Sequence, residues 1–231
     1  ADITKIKPIM EQLMISFTQE EAGFESFVQE EIHYVFMENS TYRFADKLKR
    51  DKIAKNADGE IVMADTAVKL MSKLHQVFSG TVIVDEPERI AKCFDDRKAE
   101  FILDKFAGQK IAIYYKFVAE YFAILKAFGN RIVNDAKEFN EGGNELVFVS
   151  QIASGREGIN LSSADALIFY NIDFSAVSYW QSRARIQTKD REKESKIHWI
   201  FAHNGIEDKI YKAVMEKKDY TLQHFKRDYG I

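Results

Sequence analysis

Residues 150–191, SQIASGREGINLSSADALIFYNIDFSAVSYWQSRARIQTKDR, decide how the rest of the chain is read. The stretch leaves an apolar run at 145–150, crosses a loop holding Gly155 and Gly158, enters a second apolar run at 166–170, and turns to helical spacing over 175–184. Uninterrupted apolar runs are strands buried on both faces. Alternating them with helices builds a parallel sheet with right-handed crossovers. Ligands of such sheets bind beyond the strands' carboxyl ends, and the glycine loop falls at one of those ends. Gly155 and Gly158 permit turns that leave backbone N–H groups free for a phosphate oxygen or a close nucleic-acid backbone. Asn160 adds a paired donor and acceptor. Beyond the second run, Gln181 and Arg185 share a helix face at four-residue spacing, whereas Arg183 points elsewhere. An arginine so placed can stabilise phosphoryl charge in transfer.

The same alternation extends outward from this stretch. Upstream it predicts a helix through Phe101 and Phe106, a strand at 110–115, a helix over 117–128, a short strand at 131–133 and a helix around Phe139. Downstream it predicts a strand at 197–201 and a helix from Gly205, with Asn204 and Glu207 as a capping box. Before residue 95 the chain is more charged and reads as mainly helical. A strand of period two at 28–36 precedes a helix from Asn39 to about Ala54 with a basic face. Asn56 to Gly59 then form a turn, and Val68, Met71, Leu74, His75 and Phe78 form a helical stripe that Gly80 ends before a short strand at 81–84. Only Pro8 and Pro87 are prolines, and no low-complexity run marks a linker. The expectation is one α/β unit over 1–231, with a mainly helical portion at 1–94 and a parallel core at 95–231.

Composition narrows the function classes. With 46% hydrophobic residues the 231-residue chain can bury a large core, and it has neither an 18-residue apolar span nor a secretory leader, which gives a cytoplasmic expectation. Cys93 is the single cysteine and the five histidines are scattered, so no metal site is expected. A net charge of −3 excludes a surface that is basic throughout and confines any nucleic-acid contact to a local patch. The start at Ala1, directly in a helical pattern, is what an excised fragment would show.

The order glycine loop, apolar strand, Gln-x-x-x-Arg resembles motifs V and VI of superfamily-two helicases, and its details resemble the Swi/Snf branch. Gly155-Arg156-Glu157-Gly158-Ile159-Asn160-Leu161, followed by Ala164 and Leu167-Ile168-Phe169, is similar to motif V of that branch, lacking one of the usual adjacent glycines. Residues 110–117 resemble motif IV, and Lys73-Leu74-His75-Gln76-Val77-Phe78-Ser79-Gly80 resembles the K-L-x-Q-x-x-S-G segment before it. The segment after motif VI is similar to that of phage-related helicases. The resemblance, over about residues 40–215, implies a RecA-like, P-loop NTPase-type C-terminal lobe of an ATP-dependent DNA helicase or translocase. It implies ATP between this lobe and an N-terminal one, with Mg²⁺ held by that first lobe, and DNA, as duplex, as partner. By the same resemblance Gly155, Glu157, Gly158 and Asn160 belong to the nucleotide side, with Asn160 near the ribose, while Gln181 and Arg185 face the γ-phosphate. Motif VI departs from its pattern at Thr188, where a second arginine is usual, and Arg191 is the candidate to replace it.

Other features have plainer readings. Asp85-Glu86 after Val82-Ile83-Val84 imitates a magnesium-binding strand end, but the sequence holds no Gly-Lys pair and hence no phosphate-binding loop, so isolated chain is expected to be inactive as an ATPase. The basic residues from Lys47 to Lys55 stand among Asp46 and Asp51 and read as a solvated face. His75 lies on an apolar stripe and reads as a core histidine. Tyr114, Phe117, Phe169 and Trp199 read as core. Two competing classes are a nucleotide-binding Rossmann-like module without motor function, such as a glycosyltransferase lobe, and a non-enzymatic interaction domain.

Overall fold

The computed structural model describes residues 28–56, 58–152, 160–184 and 195–230. In chain order these form β1 (Val28–Val35), α1 (Asn39–Asp51), β2 (Ile53–Lys55), β3 (Ile61–Met63), α2 (Ala67–Phe78), β4 (Thr81–Ile83), β5 (Ala91–Cys93), α3 (Arg97–Lys105), β6 (Ile111–Tyr115), α4 (Val118–Phe128), β7 (Ile132–Val133), α5 (Ala136–Glu141), β8 (Val147–Gln151), β9 (Ala166–Phe169), α6 (Ala176–Ala184), β10 (Ser195–Ala202), α7 (Glu207–Met215) and α8 (Leu222–Tyr229). Six strands make one parallel sheet in the order β1-β10-β9-β6-β8-β7, while β2 pairs β3 and β4 pairs β5 as antiparallel ribbons. The α/β class and parallel core expected from the apolar runs are present.

Apolar runs become central strands because both their faces are covered. Ile111 to Tyr114, Val147 to Val149 and Ala166 to Phe169 are all buried. Tyr114, Phe169 and Trp199 stack across β6, β9 and β10 at ring-centroid distances of 5.5 and 4.4 Å, and Tyr179 of α6 continues the stack at 5.3 Å. Such offset stacks add to the area they bury. On one face, Phe101 and Phe106 around α3 meet His33 and His198; on the other, Tyr179 and Tyr211 of α6 and α7 meet Trp199.

The part before residue 95 carries more strand than its charge suggested. β1 is the outer strand of the core sheet, in register with β10 over its full length, so residues 28–35 belong to the α/β core. The basic helix stops at Asp51 because Lys52 turns left-handed (φ 61°) and its N–H closes on the Leu48 carbonyl; residues 53–55 then pair with β3. Lys49 and Arg50 pair with Asp46 and Asp51, in keeping with a solvated face. The expected capping box at Asn204 does not form. Asn204 takes φ 59°, and Glu207 turns inward to Lys98.

The segment 73–80 is held by its own side chains. Lys73 pairs with Asp85 at 2.9 Å, Gln76 Oε1 accepts from Ile83 N at 3.0 Å, and Ser79 Oγ donates to the Gln76 carbonyl at 2.8 Å. Gly80 has φ +82°, and a Cβ there would meet the Asp95 carbonyl oxygen at 1.9 Å, so only glycine fits. This explains why that residue pattern stands at the α2–β4 turn. Asp85 is committed to Lys73 and to Met63 N at 2.8 Å, which supports the plainer reading of Asp85-Glu86.

Candidate functional site

The candidate site is sought where β6, β8 and β9 end, because the strand order reverses there. β8 lies on one side of β6 and β9 on the other, although β9 follows β8 in the chain. In parallel sheets ligands bind beyond such strand ends.

Beyond the ends of β6 and β9 lies a buried polar network. Glu120, fully buried on α4, accepts from Lys116 N (2.7 Å) and Phe117 N (2.9 Å) through Oε2 and from Asn171 Nδ2 (2.7 Å) through Oε1. Burial pushes the Glu120 carboxyl up, opposed by Asn171, Lys98 and the two backbone donors. Asn171 Oδ1 meets His75 Nε2 at 2.7 Å and accepts from Ile172 N at 2.8 Å. His75 is wholly buried, and burial, followed by the charge of Lys116, holds its pKa well below the ordinary value. It is thus a neutral core histidine, as its apolar stripe indicated. Lys116 pairs with Asp173 at 2.8 Å, and Gln151 Nε2 donates to the Lys116 carbonyl at 2.9 Å. A second buried group, Lys98 and Glu207, both without exposure and 2.7 Å apart, ties α3 to the start of α7; Lys98 also donates to the Tyr170 carbonyl at 3.4 Å.

Two of the expected site residues are described. Asn160 is exposed; its Oδ1 accepts from Ser162 N at 2.9 Å, an Asx-type turn, and its carbonyl accepts from Asn140 Nδ2 at 2.9 Å. The turn fixes the loop's return toward β9 and leaves the Asn160 amide nitrogen without a partner among the described residues. Gln181 is exposed on α6. Gly155, Glu157, Gly158, Arg185, Thr188 and Arg191 lie outside the described residues, as does the side chain of Arg183.

What α6 presents is set by two aromatic anchors. Tyr179 is buried and donates to Glu30 Oε2 at 2.7 Å, and Trp180 Nε1 donates to the Val214 carbonyl at 3.1 Å. Burial, then the Glu30 carboxylate, raises the Tyr179 hydroxyl pKa far above its ordinary value. Glu30 also accepts from Trp199 Nε1 at 3.0 Å and Tyr211 at 3.3 Å, so one carboxylate of β1 fixes α6, β10 and α7 together. Nothing in the spacing of Glu30 signals this role.

Elsewhere, Glu31, His33 and His198 place one ligating atom each within 4.8 Å of one another. No metal site was expected from five scattered histidines; His33 and His198 are brought together only by strand pairing.

Among the described residues no helix is long and apolar enough to cross a membrane. No protein-family profile matches the chain. It is 26% identical over 136 residues to the chromatin-remodeling ATPase INO80 of Candida albicans, a match covering 52% of this chain and 10% of that protein. It is 30% identical over 96 residues to the helicase swr1 of Aspergillus fumigatus, covering 39% and 6%. An uncharacterized ATP-dependent helicase of Mycoplasma pneumoniae is 24% identical over 92 residues, covering 40% and 9%. The matched segment is thus a tenth or less of each relative. In structure the chain is similar to the C-terminal part of the Fun30 ATPase domain, with a TM-score of 0.58 and 15% identity over 85% of this chain and 91% of that one. In sequence the chain is thus similar to chromatin-remodeling ATPases and helicases, and its fold is that of the C-terminal part of the Fun30 ATPase domain.

Proposed function

We propose that this chain supplies the second face of an ATP site, the first face coming from an N-terminal RecA-like lobe, and that ATP-driven closure of the two lobes moves the protein along duplex DNA. The observation that carries the proposal is the fold, similar to the C-terminal part of an ATPase domain, in a chain whose sequence has no phosphate-binding loop. That arrangement suits half of a site. The polar groups present fit a nucleotide: the Asn160 amide nitrogen is an exposed donor of the kind a ribose hydroxyl accepts from, and Gln181 sits on a helix anchored by Tyr179 and Trp180. ATP, with Mg²⁺ held by the other lobe, would supply the phosphoryl group.

The roles of the chain's own residues follow from their chemistry. Gly155 and Gly158, with Glu157 between them, offer backbone N–H groups to the nucleotide side and to a DNA phosphate. Arg185, four residues after Gln181 in the sequence, is the residue proposed to stabilise charge that grows on the γ-phosphate in the transition state. Arg191 takes the place that Thr188 leaves vacant. An acidic lobe of net charge −3 neutralises only a few phosphates, so its own DNA affinity is weak and falls steeply with salt.

The test is an arginine series in the protein joined to its first lobe. Arg185→Ala should lower turnover at saturating ATP by ~10²-fold or more, with Arg191→Ala next and Arg183→Ala least. Near wild-type turnover of Arg185→Ala, with Arg183→Ala the most damaging, would show that the helix register assigned to motif VI is wrong.

A further inference from the structure

We propose that Glu31, His33 and His198 form a binding site for a divalent transition-metal ion such as Zn²⁺, which clips the outer strand β1 to β10. The residues belong to one face of two paired parallel strands. Glu31 stands opposite His198 in the register, and His33 follows two residues on, so all three side chains leave the sheet on the same side. His33 Nε2 and His198 Nδ1 are 3.0 Å apart, and the Glu31 carboxylate lies 3.6 Å from Nδ1 of each ring.

That geometry fits an ion closely. At metal–nitrogen distances of ~2.0–2.1 Å, two imidazole nitrogens in adjacent coordination positions stand about 2.9–3.4 Å apart. The same 3.0 Å also suits an N–H···N hydrogen bond, so the separation alone does not choose between them. The carboxylate chooses. It is too far from either ring for a good hydrogen bond, and its only ion contacts among the described residues are these two imidazoles. An ion between the three groups would take one donor from each.

The histidines are suited to ligation because they are neutral. Burial lowers the pKa of both, that of His198 to about 4; for His198 the neighbouring His33 adds to this, Glu31 opposes it, and Lys196 and Lys105 add to it, while for His33 Glu31 opposes it and Lys105 adds to it. Phe101 and Phe106 pack on the rings and fix their planes. Glu31 is 59% exposed and the imidazoles 8%, so the ion enters from the carboxylate side, where water completes the coordination. No proton need leave the protein. The ring that donates in the His33–His198 hydrogen bond moves its proton to its other nitrogen, and both facing nitrogens then offer lone pairs. Two imidazoles and a carboxylate favour Zn²⁺, Co²⁺, Ni²⁺ or Cu²⁺ over Mg²⁺, which prefers oxygen ligands. The site is therefore distinct in chemistry from one that holds Mg²⁺ with ATP.

The full chain, freed of metal and titrated with Co²⁺ and separately with Zn²⁺, provides the test. The expected result is uptake of one ion per chain, visible Co²⁺ d–d absorption that Zn²⁺ displaces and Mg²⁺ does not, and loss of the His33 and His198 ring signals in NMR spectra of the Co²⁺ form. Glu31→Gln, which alters an exposed side chain, should weaken binding about tenfold or more. His198→Asn should abolish it, and His203→Asn should leave it unchanged. Zn²⁺ should raise the unfolding midpoint of the wild type but not of Glu31→Gln, because an ion bound only to the folded chain stabilises it by mass action. Absence of saturable uptake at millimolar Co²⁺, or equal affinity in the wild type and Glu31→Gln, would overturn the site even if His198→Asn fails to fold.

Discussion

Replacing Lys98 by Met should destabilise the chain by roughly 3–5 kcal/mol, the cost of leaving one partner of a buried ion pair uncompensated. The structure sets this magnitude. Lys98 and Glu207 have no exposed side-chain surface, and their 2.7 Å contact is the only strong one that Glu207 makes among the described residues. Its Oε1 otherwise accepts only from Ala202 N at 3.4 Å, and its Oε2 has no partner. Met keeps the length and volume of Lys, so the loss is electrostatic and not a cavity. Lys98→Met combined with Glu207→Leu removes both charges, and well-packed apolar pairs often replace buried ion pairs at little cost. The double variant should therefore lie within ~1–2 kcal/mol of wild type, far from the sum of the single losses. Urea unfolding followed by circular dichroism measures each value from the midpoint and slope. In thermal melts, 3–5 kcal/mol corresponds to a drop of about 6–20 °C for a chain of this size. Lys98→Met within ~1 kcal/mol of wild type, or a double variant as unstable as the summed singles, would refute the reasoning.

Two further outcomes follow from the same geometry. Gly80→Ala should cost roughly 2–5 kcal/mol, combining left-handed strain with a Cβ driven to 1.9 Å from the Asp95 carbonyl oxygen, whereas Gly108→Ala, also at positive φ but with open space around it, should cost about 1–2 kcal/mol; equal losses in chemical unfolding would show that the clash is relieved. Stability should fall as pH drops from about 6.5 toward about 4, because His198, His33 and His75 have depressed pKa values when folded and take up protons more readily when unfolded. Their contribution is present above the unfolded pKa and lost on acidification, so urea midpoints that do not fall between pH 7 and pH 5, or a slope that His198→Asn leaves unchanged, would contradict it.

Much of the fold was legible because its signals are local. Apolar runs at 110–115, 145–150 and 166–170 each became a strand shifted by no more than two residues, since a strand buried on both faces needs nothing but its own side chains to announce itself. β1 was legible as a strand but not as part of the core, because its period-two pattern says nothing of a partner 167 residues away, Val28 standing against Ser195. The ribbons β2–β3 and β4–β5 were missed or half seen because three-residue strands lie below the length at which periodicity is visible. Of the candidate site residues, Asn160 and Gln181 stood out by a sequence pattern, and both are exposed. The residues that hold it in shape did not. Glu30, Glu120, Asn171 and the Lys98–Glu207 pair act through partners brought near only by the sheet, and a charged residue between apolar neighbours looks the same whether it is solvated or buried. His33 and His198 are the clearest case: five scattered histidines argue against a metal until two strands set two of them 3.0 Å apart.

The central claim is that the chain is one face of a two-lobed ATP site. ATP hydrolysis should be measured for the chain alone and for the chain joined to a first RecA-like lobe that carries a phosphate-binding loop, each with and without duplex DNA. The account predicts no turnover above a heat-treated control for the chain alone, and DNA-stimulated turnover for the joined protein. Turnover by the isolated chain, or tight binding of a nucleotide sugar by it with no activity in the joined protein, would contradict the account.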